Sequence, residues 1–216
     1  MRPDGEEPLF DAPLASLMLI ALLAAAFGAQ VWLGDAAVLE GALSAGALRE
    51  GRWWTLVSHI FLHGGVAHIV MNGAAALAFG PAVARYFGHG PRAGAVFFLY
   101  FIVTGVIGGL TFVALHPAGI DPMVGASGAI CGLWGGATRL LGRWRGLSGL
   151  WSRPVRGQLA AFAIMNLILI GLGFAGGFIG AGLRIAWEAH VGGFIAGLLL
   201  IAPFARLARS VDQPPH

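Results

Sequence analysis

Long apolar runs broken by short polar stretches set the pattern of this chain, at 13–33, 62–83, 93–115, 125–141, 159–178 and 185–204. Most approach the roughly 20 residues that a helix needs to cross about 30 Å of hydrocarbon. In lipid the backbone N–H and C=O groups must be bonded within the spanning segment, and strand-like alternation is scarce, so the runs predict helices. The expected fold is an all-α polytopic membrane protein, a six-transmembrane-helix bundle over residues 12–205, with segment 1–11 before it and tail 206–216 after it. The fourth run is the shortest and follows Asp121-Pro122, a helix-start signal.

Composition agrees. Of 216 residues, 57% are hydrophobic and 11% charged, and the mean hydropathy is +0.79, more apolar than a soluble core requires. The start of the chain is acidic, with Asp4, Glu6, Glu7 and Asp11 against Arg2, whereas a secretory signal has a basic start and a shorter apolar region. Run 13–33 is therefore read as the first span. The segment 34–61 is neither strongly apolar nor strongly charged, and its Trp53 and Trp54 favour a place in the headgroup layer.

All 13 basic side chains are arginine, scattered through short loops, which leaves no continuous basic face for nucleic acid. They also predict orientation. With the first residue inside, Arg2, Arg85, Arg92, Arg139, Arg143, Arg145, Arg153, Arg156, Arg206 and Arg209 fall on the cytoplasmic side, against Arg49, Arg52 and Arg184 outside. Both ends are then cytoplasmic, and the fourth helix begins from the outer side. The single Cys131 excludes an intramolecular disulfide.

Polar side chains inside spans are costly and mark candidate functional positions. The set is His63, His68 and Asn72 near the second helix, Ser127 in the fourth, Asn166 in the fifth, and His190 in the sixth with Glu188 near its end. Ser127 stands in Gly125-Ala126-Ser127-Gly128, where small neighbours let a carbonyl group come close. Gly128, Gly132 and Gly136 form a strip on one helix, while Gly193 and Gly197 share the His190 face of another. Two such strips let backbones approach, as Ser127 and His190 need in order to reach about 2.6 to 3.2 Å, the range for imidazole acting as base. His68 and Asn72 lie four apart on one face and can aim donors at an oxyanion. Each piece alone is equally compatible with helix packing or interhelical hydrogen bonding.

Taken together, Trp53-Trp54, His63-x4-His68-x3-Asn72, Gly125-Ala126-Ser127-Gly128 and Ala189-His190-x2-Gly193-x3-Gly197 resemble the rhomboid intramembrane serine proteases of the compact six-helix bacterial kind. The resemblance implies a rhomboid-like bundle whose short fourth helix carries the nucleophile Ser127, with His190 as general base and acid and no aspartate. It implies an oxyanion hole of His68, Asn72 and the Ser127 backbone N–H, supported by His63, Gly125, Gly128, Gly193 and Gly197. Substrates would be transmembrane proteins entering sideways from the lipid past the fifth helix and a cap over Ser127. No cofactor or metal is implied. The expected location is a bacterial inner membrane, with the site opening outward.

Two positions depart from the family pattern. Thr55 replaces an arginine, so the first loop's anchoring is in question. Cys131 replaces an aromatic that stacks on the histidine, which leaves His190 to be oriented by closer packing. Asn166 is expected to bond within the bundle or to face the site. Glu188 is expected at headgroup level, on a different helical face from His190, and His59, His89, His116 and His216 are read as interfacial or solvated.

Three other readings compete. A catalytically silent relative that binds membrane clients would lack Ser127 or His190. A transporter would show charged pathway residues or paired broken helices. A metalloprotease would carry a His-Glu-x-x-His helix, which is absent from the sequence.

Overall fold

The computed structural model describes residues 12–142, 146–178 and 185–209. The expectations for segment 1–11, for Arg143, Arg145 and Arg184, and for tail residues 210–216 fall outside these. Helices account for the architecture: α1 (Leu14–Leu33), α2 (Asp35–Gly41), α3 (Ala45–Arg49), α4 (Thr55–Ser58) with a 3-10 turn at His59–Phe61, α5 (Val66–Phe87), α6 (Pro91–Leu115), α7 (Ser127–Thr138), α8 (Arg153–Phe178) and α9 (Trp187–Ala208). Among the described residues, α1, α5, α6, α8 and α9 are long and apolar enough to span a membrane. The fourth apolar run forms α7, which has 12 residues and rises only about 18 Å.

Helix ends differ from the sequence reading for local reasons. The second span starts at Val66 rather than residue 62, because Gly65 at φ 145° breaks the chain before it. The fourth starts at Ser127, well after Pro122, because Met123 is held in an antiparallel bridge to Leu43. The fifth starts at Arg153 rather than 159, and Pro154 sits in its first turn, where a missing N–H costs nothing. The sixth runs to Ala208, into the segment expected to be tail.

Short α7 is the hub. Every residue from Gly128 to Gly136 is buried, against α5, α6 and α9. This placement explains its glycines. A methyl group built on Gly193 would strike the Gly128 carbonyl oxygen, and one on Gly197 would strike that of Gly132. Tyr100 Oη stands between two carbonyls of the same crossing, 3.1 Å from Gly132 O and 2.9 Å from Gly197 O, and ties α6 to both helices. Around them pack Phe97, Phe101, Leu133 and Ile201, all fully buried, while Val70, Leu99, Leu167 and Leu199 face outward as lipid contacts would.

The segment between α1 and α5 is folded rather than loose. Gln30 grips His63 reciprocally, its Nε2 donating to His63 O at 2.7 Å and its Oε1 accepting from His63 N at 2.8 Å. Arg49 donates to Pro117 O at 2.6 Å, Gly46 N to Gly119 O at 3.2 Å, and Gly125 N to His59 O at 2.8 Å. The segment thus carries the 116–126 connection that leads into Ser127. Trp53 and Trp54 are 63% and 56% exposed, as interfacial tryptophans are.

Candidate active site

Ser127 opens α7, so its side chain projects from the end of the hub helix. Its Oγ lies 2.8 Å from His190 Nε2 on α9, the hydrogen-bond distance that the glycine crossing permits. His190 is buried, and its other nitrogen, Nδ1, lies 2.9 Å from Asn166 Oδ1 on α8. The Asn166 amide is oriented by its own helix, since Nδ2 donates to Phe162 O at 3.0 Å and Oδ1 is left as the acceptor. His190 Nδ1 therefore carries the proton, and its Nε2 lone pair faces the Ser127 hydroxyl.

His68 and Asn72 stand one turn apart on α5. The Gly64 N–H donates to His68 Nδ1 at 3.2 Å, which places the proton of the neutral ring on Nε2. That edge faces Gly125: a methyl group there would come within 2.8 Å of His68 Nε2, and φ of 128° at Gly125 disfavours any side chain. Asn72 is buried, and its Nδ2 has no hydrogen-bond partner among the described residues. A buried amide donor left unpaired costs free energy unless something arrives to accept from it.

His63 adjoins this pair, with its ring 5.1 Å from that of His68 at 70°, and it packs edge-on to Phe27. Gly128 meets Ala189 closely, its added methyl standing 3.2 Å from Ala189 O. Of the positions singled out in the sequence, Ser127, His190 and Asn166 are joined by hydrogen bonds and His68 meets Gly125, while Gly132 and Gly197 cross further along α7. Among the described residues no three His, Cys, Asp or Glu side chains converge as a metal would require.

Several expectations are corrected here. His59 is not solvated but 2% exposed, with Nδ1 donating to Thr55 O at 2.7 Å. Glu188, in the first turn of α9, is buried within the protein, 3.5 Å from His116 Nε2 at the end of α6. Thr55 is fully buried, and its Oγ1 donates to Arg52 O at 2.7 Å, so the loop is anchored internally. Besides the close packing around the buried His190, the Asn166 hydrogen bond holds its ring. The signal for Asn166 was present in the sequence, as the only polar side chain between residues 159 and 172.

A serine and an imidazole are thus joined inside an apolar helical bundle, with the Asn166 amide on the far side of the ring. The chain belongs to the rhomboid family: residues 50–207 match the family's Rhomboid domain. It is an integral multi-pass membrane protein. It is 32% identical over 165 residues to rhomboid protease GluP of Bacillus subtilis (strain 168), a match covering 76% of this chain and 29% of that protein. It is 34% identical over 161 residues to RHOMBOID-like protein 5 of Arabidopsis thaliana, covering 74% of this chain and 47% of that protein. The matches thus span less than half the length of these two relatives.

Proposed function

We propose that the chain is an intramembrane serine endopeptidase that cuts peptide bonds in or near transmembrane segments of other membrane proteins. The observation that carries this reading is the 2.8 Å contact between Ser127 Oγ and His190 Nε2, with the lone pair of the imidazole turned to the hydroxyl. Ser127 Oγ attacks the scissile carbonyl as its proton passes to His190 Nε2. The oxyanion is met by the unpaired Asn72 Nδ2, by His68 Nε2–H and by the Ser127 backbone N–H. The tetrahedral intermediate collapses as His190 returns the proton to the leaving amine, forming an acyl-enzyme. Water, deprotonated by the same nitrogen, then releases the acid.

A helix hides its carbonyls, so the cut bond must lie where the substrate unwinds, and small or helix-breaking residues there favour it. Clients approach through the lipid, past α8 and the segment over Ser127. Arginine placement supports cytoplasmic ends and a site facing outward in a bacterial plasma membrane. The chemistry needs neither metal nor cofactor.

The direct test is labelling of the purified protein by a fluorophosphonate, beside Ser127→Ala and His190→Ala. Labelling of the parent alone supports the reading. An unlabelled, folded parent in both detergent and lipid would turn the assignment to a silent, client-binding relative.

A further inference from the structure

Asn166 does more than hold two helices together. Its amide is fixed from both sides: Nδ2 is committed to Phe162 O, and Oδ1, which has no hydrogen to give, is presented to His190 Nδ1 at 2.9 Å. With a neutral imidazole this arrangement admits one tautomer, proton on Nδ1 and lone pair on Nε2. Glu188, two residues earlier, offers no alternative, because it is turned to His116. Cys131, one turn beyond Ser127, provides no aromatic face to hold the ring.

The position of Asn166 matters as much as its chemistry. It belongs to α8, whose inward stripe is Val155, Phe162 and Asn166, all buried, while Ile164, Leu167 and Ile168 are exposed. Two contacts seat that stripe. Trp134 Nε1 donates to Gln158 Oε1 at 2.8 Å, and Phe162 stacks on Phe194 with ring centroids 4.0 Å apart. Asn166 stands one turn beyond Phe162, on the Ser127 side.

We propose that Asn166 is a positioning residue that selects the productive tautomer of His190, so that the serine is activated only while α8 is seated against α9. This inference rests on the serine-protease reading of the site for its catalytic consequence, but not for its structural one. Displacement of α8 by more than hydrogen-bond reach releases Nδ1, and the ring is then free to turn its N–H toward Ser127, where it cannot accept a proton. A client that pushes α8 aside must therefore let the helix return before its bond is cut.

The test compares the parent with Asn166→Ala and Asn166→Asp, and with Phe162→Ala, which loosens the seat of α8. Nitrogen-15 NMR of histidine-labelled protein reads the His190 tautomer directly, with His190→Ala assigning the signal. The rate of fluorophosphonate labelling reads activation, and thermal melting checks that each variant is folded. The parent should show the Nδ1–H form. Asn166→Ala should mix the tautomers and slow labelling on the order of 10- to 100-fold, less than full loss of a general base. Asn166→Asp keeps an acceptor and should restore both readouts, which a packing role would not do. Phe162→Ala should slow labelling in the parent background and add little to Asn166→Ala.

A folded Asn166→Ala protein that keeps the Nδ1–H tautomer and labels within threefold of the parent overturns the proposal. If the alanine variant does not fold, a folded Asn166→Asp protein without the Nδ1–H form overturns it equally. A parent that resists labelling while its tautomer still responds to Asn166 would sink the protease reading and leave the positioning role standing.

Discussion

The carbonyl oxygen of His59 accepts the Gly125 N–H at 2.8 Å, so the turn that presents Ser127 hangs from a buried histidine in the segment between α1 and α5. Burial holds the His59 ring near a pKa of about 4, well below its ordinary 6.5, against the opposing pull of its bond to Thr55. His63, in the same segment, is held to about 4, first by burial and then by the neighbouring charge of His68.

The stability of this cap should therefore depend on acidity. Between pH 6.5 and 4 the unfolded segment binds protons that the folded one excludes, so stability is complete above pH 6.5 and falls as pH drops toward 4. Each ring contributes a slope of up to about 1.4 kcal/mol per pH unit within that window. Melting curves in detergent at pH 7.5, 5.5 and 4.5 would read it, and His59→Gln should remove part of the fall. A melting temperature constant across the series would refute the assignment.

Asn72→Leu should separate activity from stability. Its Nδ2 has no partner among the described residues, so its loss leaves nothing newly unpaired, and stability should hold or rise within about 1 kcal/mol. Turnover should fall roughly 10²- to 10³-fold, as when one oxyanion donor is removed. A melting temperature that drops while labelling persists would make Asn72 a structural amide.

The glycines should divide sharply. Gly197→Ala forces a methyl group onto the Gly132 carbonyl oxygen, a backbone atom that cannot step aside, and should cost about 1–3 kcal/mol or more. Gly73→Ala, on α5 with open space around it, should be neutral or stabilise by up to about 1 kcal/mol. Equal effects on melting at the two sites would contradict the close crossing of α7 and α9.

Tyr100→Phe removes the hydroxyl that sits between Gly132 O and Gly197 O while keeping the ring. The expected loss is about 1 kcal/mol, since both carbonyls belong to helices and the bond lost is a neutral one. Chemical denaturation of the two proteins side by side would measure it.

Much of this is legible in the chain because a bilayer leaves few options. Unbroken apolar runs can only be helices there, and the rare polar groups inside them must find one another, which is how Ser127, His68, Asn72 and His190 could be grouped before any coordinates. What was not legible depended on distant partners. Pro122 looks like the start of a helix, but the bridge from Leu43 holds Met123 out of helical geometry, and the helix waits until Ser127. His59 looks solvated, but Gly109 leaves room for its ring to be buried, the added methyl there standing 3.0 Å from it. Glu188 reads as a surface acid until His116 is brought beside it, and nothing local says which of the possible acceptors His190 Nδ1 meets.

The short α7 has a metric consequence. Its rise of about 18 Å, set against about 30 Å of hydrocarbon, stations Ser127 roughly 12 Å inside one face of the bilayer if the far end lies at the other. On the proposed reading, α7 then works as a ruler: depth narrows the choice of bond, and residues that unwind the client at that level make the cut. Adding one turn to α7 would move the cut by three or four residues along a client that stays helical up to that point, a shift visible in the mass of the released fragment.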